Sequence, residues 1–225
     1  NVASISGSRE FSCSQALKVL LAKPRVFQFV SKKQPLLASS YKGFVTIAFG
    51  RYPQASKNEN ALIEWLVLKN DGSRALLISK YALDCQQYNT SFIKNVTWET
   101  CSLRKWLNGS FINSAFSADE QKEILNAAVT ADRNPDRANS GNNTKDRVFL
   151  LSIAEAQKYF GSDSARQCQG TVYCFAQGAY KVGDGYCLWR LRSPGSSGCA
   201  AYVYNGGSIN EWGHYVDNGT IAVRP

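Results

Sequence analysis

The chain has 225 residues, of which 44% are hydrophobic and 19% are charged, and this composition excludes an intrinsically disordered protein. No stretch approaches the roughly 18 consecutive apolar residues of a membrane-spanning helix. The net charge of +9 comes from basic residues that are spread along the sequence, whereas nucleic-acid-binding proteins usually concentrate them on one helix or stripe. We therefore expect a folded domain that does not bind nucleic acid.

The first part of the chain predicts one helix and two strands. Apolar residues recur at helical spacing over residues 8–22, and Pro24 ends the pattern. Residues 25–30 and 44–49 are short apolar runs that are typical of strands. We expect residues 1–43 to form an N-terminal arm or a small subdomain, and residues 44–225 to form the main domain.

A hairpin and two helices are predicted next. The apolar runs 63–68 and 75–79 are separated by Asn-Asp-Gly-Ser at positions 70–73, which is a strong turn signal. Leucine and tryptophan at helical spacing predict a helix over residues 100–110. A capping box at positions 117–120 predicts a second helix that continues to residue 127.

The rest of the chain predicts a third helix followed by β-structure with many loops. Residues 130–147 are polar and predict a long loop, residues 148–151 a strand, and residues 153–160 a helix. From Gly161 onward the apolar runs are short. We therefore predict an α+β fold, with a twisted, mostly antiparallel sheet that is flanked by two or more helices and a long, loop-rich C-terminal half.

The residues that could carry catalysis are few. His214 is the only histidine, and Cys187 or Cys199 could act as a nucleophile beside it, but no sequence motif links these residues. Asp184, Asp217 and Asn218 could bind calcium, but they lack EF-hand spacing. We expect no catalytic residues, no metal and no cofactor.

The seven cysteines favour an exported protein, because a reducing cytosol does not maintain disulfides. Cys85 and Cys101 flank the polar connection 86–100, so they are the best candidates for a disulfide. The competing interpretation is that both are buried free thiols. We also expect the side chains of four of the five tryptophans to be buried and that of Trp212 to be partly exposed. The four are Trp65, Trp98, Trp106 and Trp189.

Several segments, taken in order, resemble one known family. They are FGRYPQ (49–54), IEW (63–65), LISKYALD (77–84), TWETCSLRKWLN (97–108), VFLLS (148–152), WRLRSPG (189–195), AAYV (200–203) and VRP (223–225). The chain resembles bacterial, largely surface-associated domains with a C-type-lectin-like fold, in the branch of the formylglycine-generating enzyme. It also resembles the variable proteins of diversity-generating retroelements, such as the Treponema surface lipoprotein type.

The resemblance implies a binding site on the C-terminal strands and loops, where Tyr, Ser and Asn alternate with scaffold residues. The expected ligand-binding residues are Tyr186, Leu188, Arg190, Ser196, Ser197, Cys199, Tyr204, Asn205, Asn210, Trp212, His214, Tyr215, Asp217 and Asn218. The cysteine pair of the related oxygenase cannot be placed in this sequence, and the calcium-binding tripeptides of lectins are absent.

The resemblance implies a surface-displayed, receptor-like or adhesion-like domain that binds a protein or glycan ligand. The alternatives are a cysteine-dependent enzyme of the formylglycine-generating type and a structural surface protein. The implied location is the bacterial cell surface or the extracellular space, for example as an outer-membrane lipoprotein, with any membrane attachment outside these residues.

Overall fold

The computed structural model describes residues 39–134 and 140–225. The predicted helix over residues 8–22 and the predicted strand over residues 25–30 lie outside the described residues. The predicted boundary at residue 43 falls in the turn between the first two strands, so residues 39–41 belong to the first sheet.

The first sheet contains four antiparallel strands in sequential order. They are β1 (Ser39–Tyr41), β2 (Phe44–Pro53), β3 (Asn60–Asn70) and β4 (Ala75–Ser79). The predicted hairpin between β3 and β4 is confirmed. Its turn is closed by the Asp71 carboxylate, which accepts hydrogen bonds from the backbone N–H groups of Ser73 and Arg74.

The second sheet has five strands, which are β5 (Asp84–Cys85), β11 (Trp189–Pro194), β12 (Cys199–Val203), β13 (Ile209–Tyr215) and β14 (Ala222–Val223). Their spatial order across the sheet is β13-β12-β11-β14-β5. The pairing of β11 with β14 is parallel and the others are antiparallel. The strand closest to the C-terminus is thus held between two earlier strands.

Two smaller sheets complete the β-structure of the described residues. β8 (Cys168–Gln169), β10 (Tyr186–Cys187) and β9 (Lys181–Val182) form one, with β10 in the middle, and β6 (Ala127–Val129) pairs with β7 (Thr144–Asp146) in the other. The predicted α+β class is confirmed, although the strands form several mostly antiparallel sheets rather than one.

Six short α-helices lie between these strands in the described part of the chain. They are α1 (Ser102–Trp106), α2 (Ile112–Ala115), α3 (Ala118–Glu123), α4 (Ile153–Tyr159), α5 (Asp163–Arg166) and α6 (Val172–Ala176). A π-helical turn (Leu107–Phe111) joins α1 to α2. The predicted capping box of α3 is confirmed, because the side chains of Ser117 and Glu120 each bond the other's backbone N–H.

Three predictions in the middle of the chain are wrong. The predicted loop over residues 130–147 ends in the strand β7 (Thr144–Asp146). The helix α3 ends at Glu123 instead of residue 127, because Ala127–Val129 pair with β7 as a strand. In the segment 148–151, Val148, Leu150 and Leu151 are buried and Phe149 is half-buried, but the segment does not form a strand. The carbonyl oxygens of Leu150 and Leu151 instead accept hydrogen bonds from the side chain and the backbone N–H of Arg192.

The first sheet has a hydrophobic core on each face, because successive side chains of a strand point to opposite faces. On β3, Trp65 belongs to one core and Leu66 to the other. Trp98 and Trp189 are also buried, as predicted, whereas Trp106 is only partly buried and packs against the first core. No helix within the described ranges is long and apolar enough to cross a membrane.

Arg192 is a buried charge that connects the helical part of the chain to the second sheet. Its side chain is 2% exposed and forms ion pairs with Asp132 and Glu155. It also donates hydrogen bonds to the carbonyl oxygens of Leu150 and Thr130. A guanidinium group has five N–H donors, which allows a single side chain to bind this many acceptors.

We predict that Arg192→Met lowers the free energy of unfolding by about 3–5 kcal/mol, because it leaves two partly buried carboxylates without their cation and the carbonyl oxygen of Leu150 without the guanidinium donor. Urea denaturation measures the change. The matched control is Lys122→Met, whose ion pair with Asp119 is exposed to solvent and should contribute no measurable stability. Equal stability of the two variants would contradict the prediction.

Candidate binding surface

Four ring contacts run along β12, β13 and the loop that precedes α1. The ring centroids are 4.9 Å apart for Tyr202 and Tyr204, 6.4 Å for Tyr202 and His214, 5.7 Å for His214 and Tyr215, and 5.8 Å for Tyr215 and Phe92. The side chains of Phe92, Tyr204 and Tyr215 are exposed, while Tyr202 is buried beneath them. We call these five residues the aromatic row.

Next to the aromatic row, β13 contains a bulge that exposes Trp212. Ala200 pairs with His214 and Tyr202 pairs with Asn210, so residues two apart on β12 face residues four apart on β13. The two extra residues disrupt the strand pairing at this point. The side chain of Trp212 is 63% exposed, as predicted from its polar surroundings.

Two glycines allow the backbone of the bulge to pack closely. Gly213 has a φ of +77°, which side-chain-bearing residues rarely adopt, and a Cβ atom there would lie 2.5 Å from the carbonyl oxygen of Ala200. A Cβ atom on Gly195 would overlap the carbonyl oxygen of Trp212. That carbonyl accepts hydrogen bonds from the backbone N–H of Ser196 at 2.7 Å and from its hydroxyl at 3.1 Å.

Two asparagines fix the bulge from either side. The amide of Asn134, which is fully buried, donates to the carbonyl oxygens of Pro194 and Glu211 at 2.7 and 2.9 Å. The side-chain oxygen of Asn210 accepts a hydrogen bond from the backbone N–H of Gly213 at 2.9 Å. The bulge is therefore held by side chains as well as by its own backbone.

Asn210 also orients the tyrosine hydroxyls. Its side-chain amide donates to the hydroxyl oxygen of Tyr204 at 2.8 Å and to that of Tyr202 at 3.3 Å. Burial raises the pKa of Tyr202, and the neighbouring Tyr204 raises it further, so the hydroxyl of Tyr202 stays protonated at neutral pH. The surface consequently presents aromatic faces together with uncharged hydrogen-bonding groups.

Arg190 lies beneath this surface instead of on it. Its fully buried guanidinium donates to the carbonyl oxygens of Ala200, His214, Tyr215 and Asn218 at 2.7–3.4 Å. Burial lowers its pKa to about 10. The structure therefore places Arg190 in the interior, although the resemblance implied that it faces a ligand. It serves as a scaffold residue that binds the carbonyl groups left by the irregular pairing of β12 and β13.

Cys199, another residue that was expected to face a ligand, is also buried. It begins β12 and pairs with Tyr215. Cys187, the other predicted nucleophile, lies on β10 in the three-stranded sheet, where its thiol donates to the carbonyl oxygen of Cys168 at 3.5 Å. The structure thus places the two thiols in different sheets, and only Cys199 lies near the strand that carries His214.

The other expected site residues fall into two groups. The residues at the ends of β11, β12 and β13 are half-buried or exposed, and they surround the bulge and the aromatic row. They are Ser196, Ser197, Asn205, Asp217 and Asn218. Tyr186 and Leu188 are half-buried in and after β10, with Tyr186 paired to Gln169 and Val182 in the three-stranded sheet. Tyr186 is therefore placed apart from β12 and β13.

Asp184 lies in the turn between β9 and β10, whereas Asp217 and Asn218 follow β13. The carbonyl oxygen of Asp184 accepts from Gln169, and the side-chain oxygen of Asn218 accepts from the backbone and hydroxyl of Thr220. Within residues 39–134 and 140–225, no group of three or more His, Cys, Asp or Glu side chains is arranged to hold a metal ion.

Sequence reasoning missed Phe92 as a member of the site, whereas Tyr202, which was expected to belong to the scaffold, is buried beneath the exposed rings. Phe92 lies in the connection 86–100, far from β13 in sequence, and its ring contacts the position where Gly198 lacks a side chain. The backbone N–H of Gly198 also donates to the carbonyl oxygen of Lys94 at 2.8 Å. The adjacent apolar residues Phe92 and Ile93, both exposed, were the only local signal.

The predicted disulfide between Cys85 and Cys101 is not formed. Both are buried free thiols, and they belong to different hydrophobic cores. Cys101 precedes α1, where its sulfur accepts a hydrogen bond from the backbone N–H of Arg104. Cys85 lies on β5 and donates to the carbonyl oxygen of Gly219 at 3.1 Å. The competing interpretation of two buried thiols describes them correctly.

We predict that Gly213→Ala lowers the free energy of unfolding by about 1–3 kcal/mol, because the new Cβ atom meets the backbone of Ala200 in a left-handed conformation. The control is Gly206→Ala, where a Cβ atom would meet no atom within 4 Å. Urea denaturation compares the two. If Gly213→Ala were as stable as the control, the bulge would be less constrained than its contacts indicate.

We also predict that the imidazole of His214 titrates below the ordinary value of about 6.5. Burial lowers its pKa, and the charge of Arg190 lowers it further. The contribution of His214 to stability is therefore complete above the unfolded pKa and decreases as the pH falls below it. Because the chain has a single histidine, proton NMR can follow this ring without assignment. A midpoint at or above 6.5 in the folded protein would contradict the prediction.

The chain was compared with curated proteins, with solved structures and with models of protein families. No curated protein matches the chain, and no solved structure matches it. A family model described as "Domain of unknown function (DUF6273)" matches residues 72–225, which is well over half of the chain. The matched span begins in the β3–β4 turn and contains the whole aromatic row and the bulge of β13. The chain therefore belongs to the DUF6273 family.

Proposed function

We propose that this protein is a non-enzymatic binding domain that holds a protein or glycan ligand on the aromatic row and Trp212. The observation that carries the proposal is the fixed bulge of β13, which exposes a tryptophan beside a continuous line of aromatic rings. Exposed tryptophan and tyrosine side chains contribute much of the energy of binding interfaces, because each offers a large contact area with only two side-chain torsions.

The rigidity of the surface supports a binding role. Trp212 is held through its carbonyl by Ser196, and the tyrosine hydroxyls are held by Asn210. A surface that is ordered before binding loses less conformational entropy when a ligand arrives. A structural surface without a ligand does not require an exposed tryptophan on a constrained bulge, and large exposed apolar side chains in one place often mark interaction sites.

We also propose the finer classification that the resemblance implies: a C-type-lectin-like fold, sequence diversification by a retroelement, and display on the bacterial cell surface. The proposal of diversification is supported by the separation of roles in the second sheet. The scaffold residues Arg190 and Arg192 on β11 are buried, while Tyr204, Trp212 and Tyr215 are exposed on or directly after the neighbouring strands β12 and β13. Exposed positions of this kind can vary without loss of the core.

The test measures binding to a panel of immobilised glycans of defined structure and purified extracellular proteins. For each ligand that binds the wild-type chain, we expect Trp212→Ala and Tyr215→Ala to weaken binding at least about fivefold, because truncation of a central aromatic side chain commonly removes more than about 1 kcal/mol. Thermal unfolding should change little, since both side chains are largely exposed.

The matched control is Tyr180→Ala. Tyr180 is 62% exposed, close to the 57% of Tyr215, but it lies beside β9 in the three-stranded sheet. The Tyr180→Ala variant should bind every ligand with the affinity of the wild type. Loss of binding in Tyr180→Ala with retention in Trp212→Ala would assign the site to another surface. Binding to no member of the panel would reject the proposed ligand classes.

A further inference from the structure

Two cysteines that have no role in the proposed binding surface face each other in the three-stranded sheet. Cys168 on β8 is directly opposite Cys187 on the antiparallel strand β10. Directly opposite residues of antiparallel strands have Cα atoms about 4.5–5.5 Å apart. A disulfide requires roughly 4.4–6.8 Å, so the backbone already has the spacing of a bridge.

The side chains of this pair are neighbours across the two strands. The thiol of Cys187 donates to the carbonyl oxygen of Cys168 at 3.5 Å, and the thiol of Cys168 donates to the carbonyl oxygen of Gln169 at 3.3 Å. Burial disfavours the thiolate of Cys168, but the neighbouring Cys187 and the charge of Arg224 together lower its pKa. The neighbouring Cys168 and burial raise the pKa of Cys187. Cys168 is thus the stronger candidate for the attacking thiolate.

We propose that Cys168 and Cys187 form an intramolecular disulfide when the protein meets a disulfide oxidant of the glutathione type. The Cys168 thiolate attacks one sulfur of oxidised glutathione, which forms a mixed disulfide and releases one glutathione thiolate. Cys187 then loses its proton and attacks the sulfur of Cys168, and the second glutathione thiolate leaves. Two protein thiols are oxidised, one glutathione disulfide is reduced to two thiols, and their sulfurs take up the two protons.

The oxidant reaches the pair through local opening of the sheet. The exposed fraction is 1% for Cys168 and 0% for Cys187, so neither thiol is accessible in the closed structure. The strands β8, β9 and β10 have two residues each, and the β8–β10 register comprises two residue pairs. Such short pairings open at lower free energy than the whole domain unfolds.

Other buried cysteines are less suited to a bridge. Cys174 on α6 donates its thiol to the carbonyl oxygen of Asp84 at 3.2 Å, and Cys85 donates to that of Gly219. Neither is paired in register with a second cysteine. The cross-strand position of Cys168 and Cys187 therefore selects this pair.

The experiment incubates the whole chain with oxidised glutathione or with reduced glutathione, then denatures it, alkylates free thiols and maps the peptides by mass spectrometry. Oxidised protein should contain one cross-link, between the peptides of Cys168 and Cys187, with a mass two hydrogens lower than the sum of the reduced peptides. The bridge closes a loop of about 18 residues and should raise Tm by about 5–10 °C.

The variants Cys168→Ser and Cys187→Ser should lose both the cross-link and the rise in Tm, whereas Cys174→Ser, the matched control for a buried thiol, should keep them. Peptide mapping of the wild type decides the question even if a variant fails to fold. Full alkylation of Cys168 and Cys187 after oxidation, or a cross-link that uses another cysteine such as Cys13, would overturn the proposal. Either result would leave the binding experiment with Trp212→Ala unaffected.

Discussion

The candidate site depends on the two extra residues that β13 carries opposite β12. Successive side chains of a strand point to opposite faces, so an insertion of one residue would turn the rest of the strand over. An insertion of two keeps Asn210 and His214 on the same face as Tyr202. The bulge can therefore expose Trp212 without breaking the aromatic row on either side of it.

Irregular pairing leaves backbone carbonyl groups without strand partners, and buried arginines bind them. Arg190 binds carbonyls of β12 and β13, Arg192 binds those that precede α4, and Arg224 binds the carbonyl of Ser79 at the end of β4. Buried polar groups of the backbone must be paired, and a guanidinium has enough donors for several. These three side chains let the loop-rich half of the protein remain ordered with few long strands.

Part of this architecture follows from the sequence alone. The β3–β4 hairpin is set by Asp71 and its neighbours, and the start of α3 is set by Ser117 and Glu120. These features were predicted correctly because the groups that interact are within four residues of each other. The exposure of Trp212 among polar residues was likewise a local inference.

Other features were decided by tertiary structure. The segment 148–151 has the composition of a strand, yet Arg192 takes its carbonyl groups. Arg190 occurs among residues typical of binding loops, yet β12 and β13 cover it. Phe92 joins the aromatic row from a part of the chain more than a hundred residues away from Tyr215. The sequence determined which residues turn, cap and prefer burial, but the partners of these groups are distant in sequence. Local sequence patterns cannot identify such partners, because only folding brings these distant groups together.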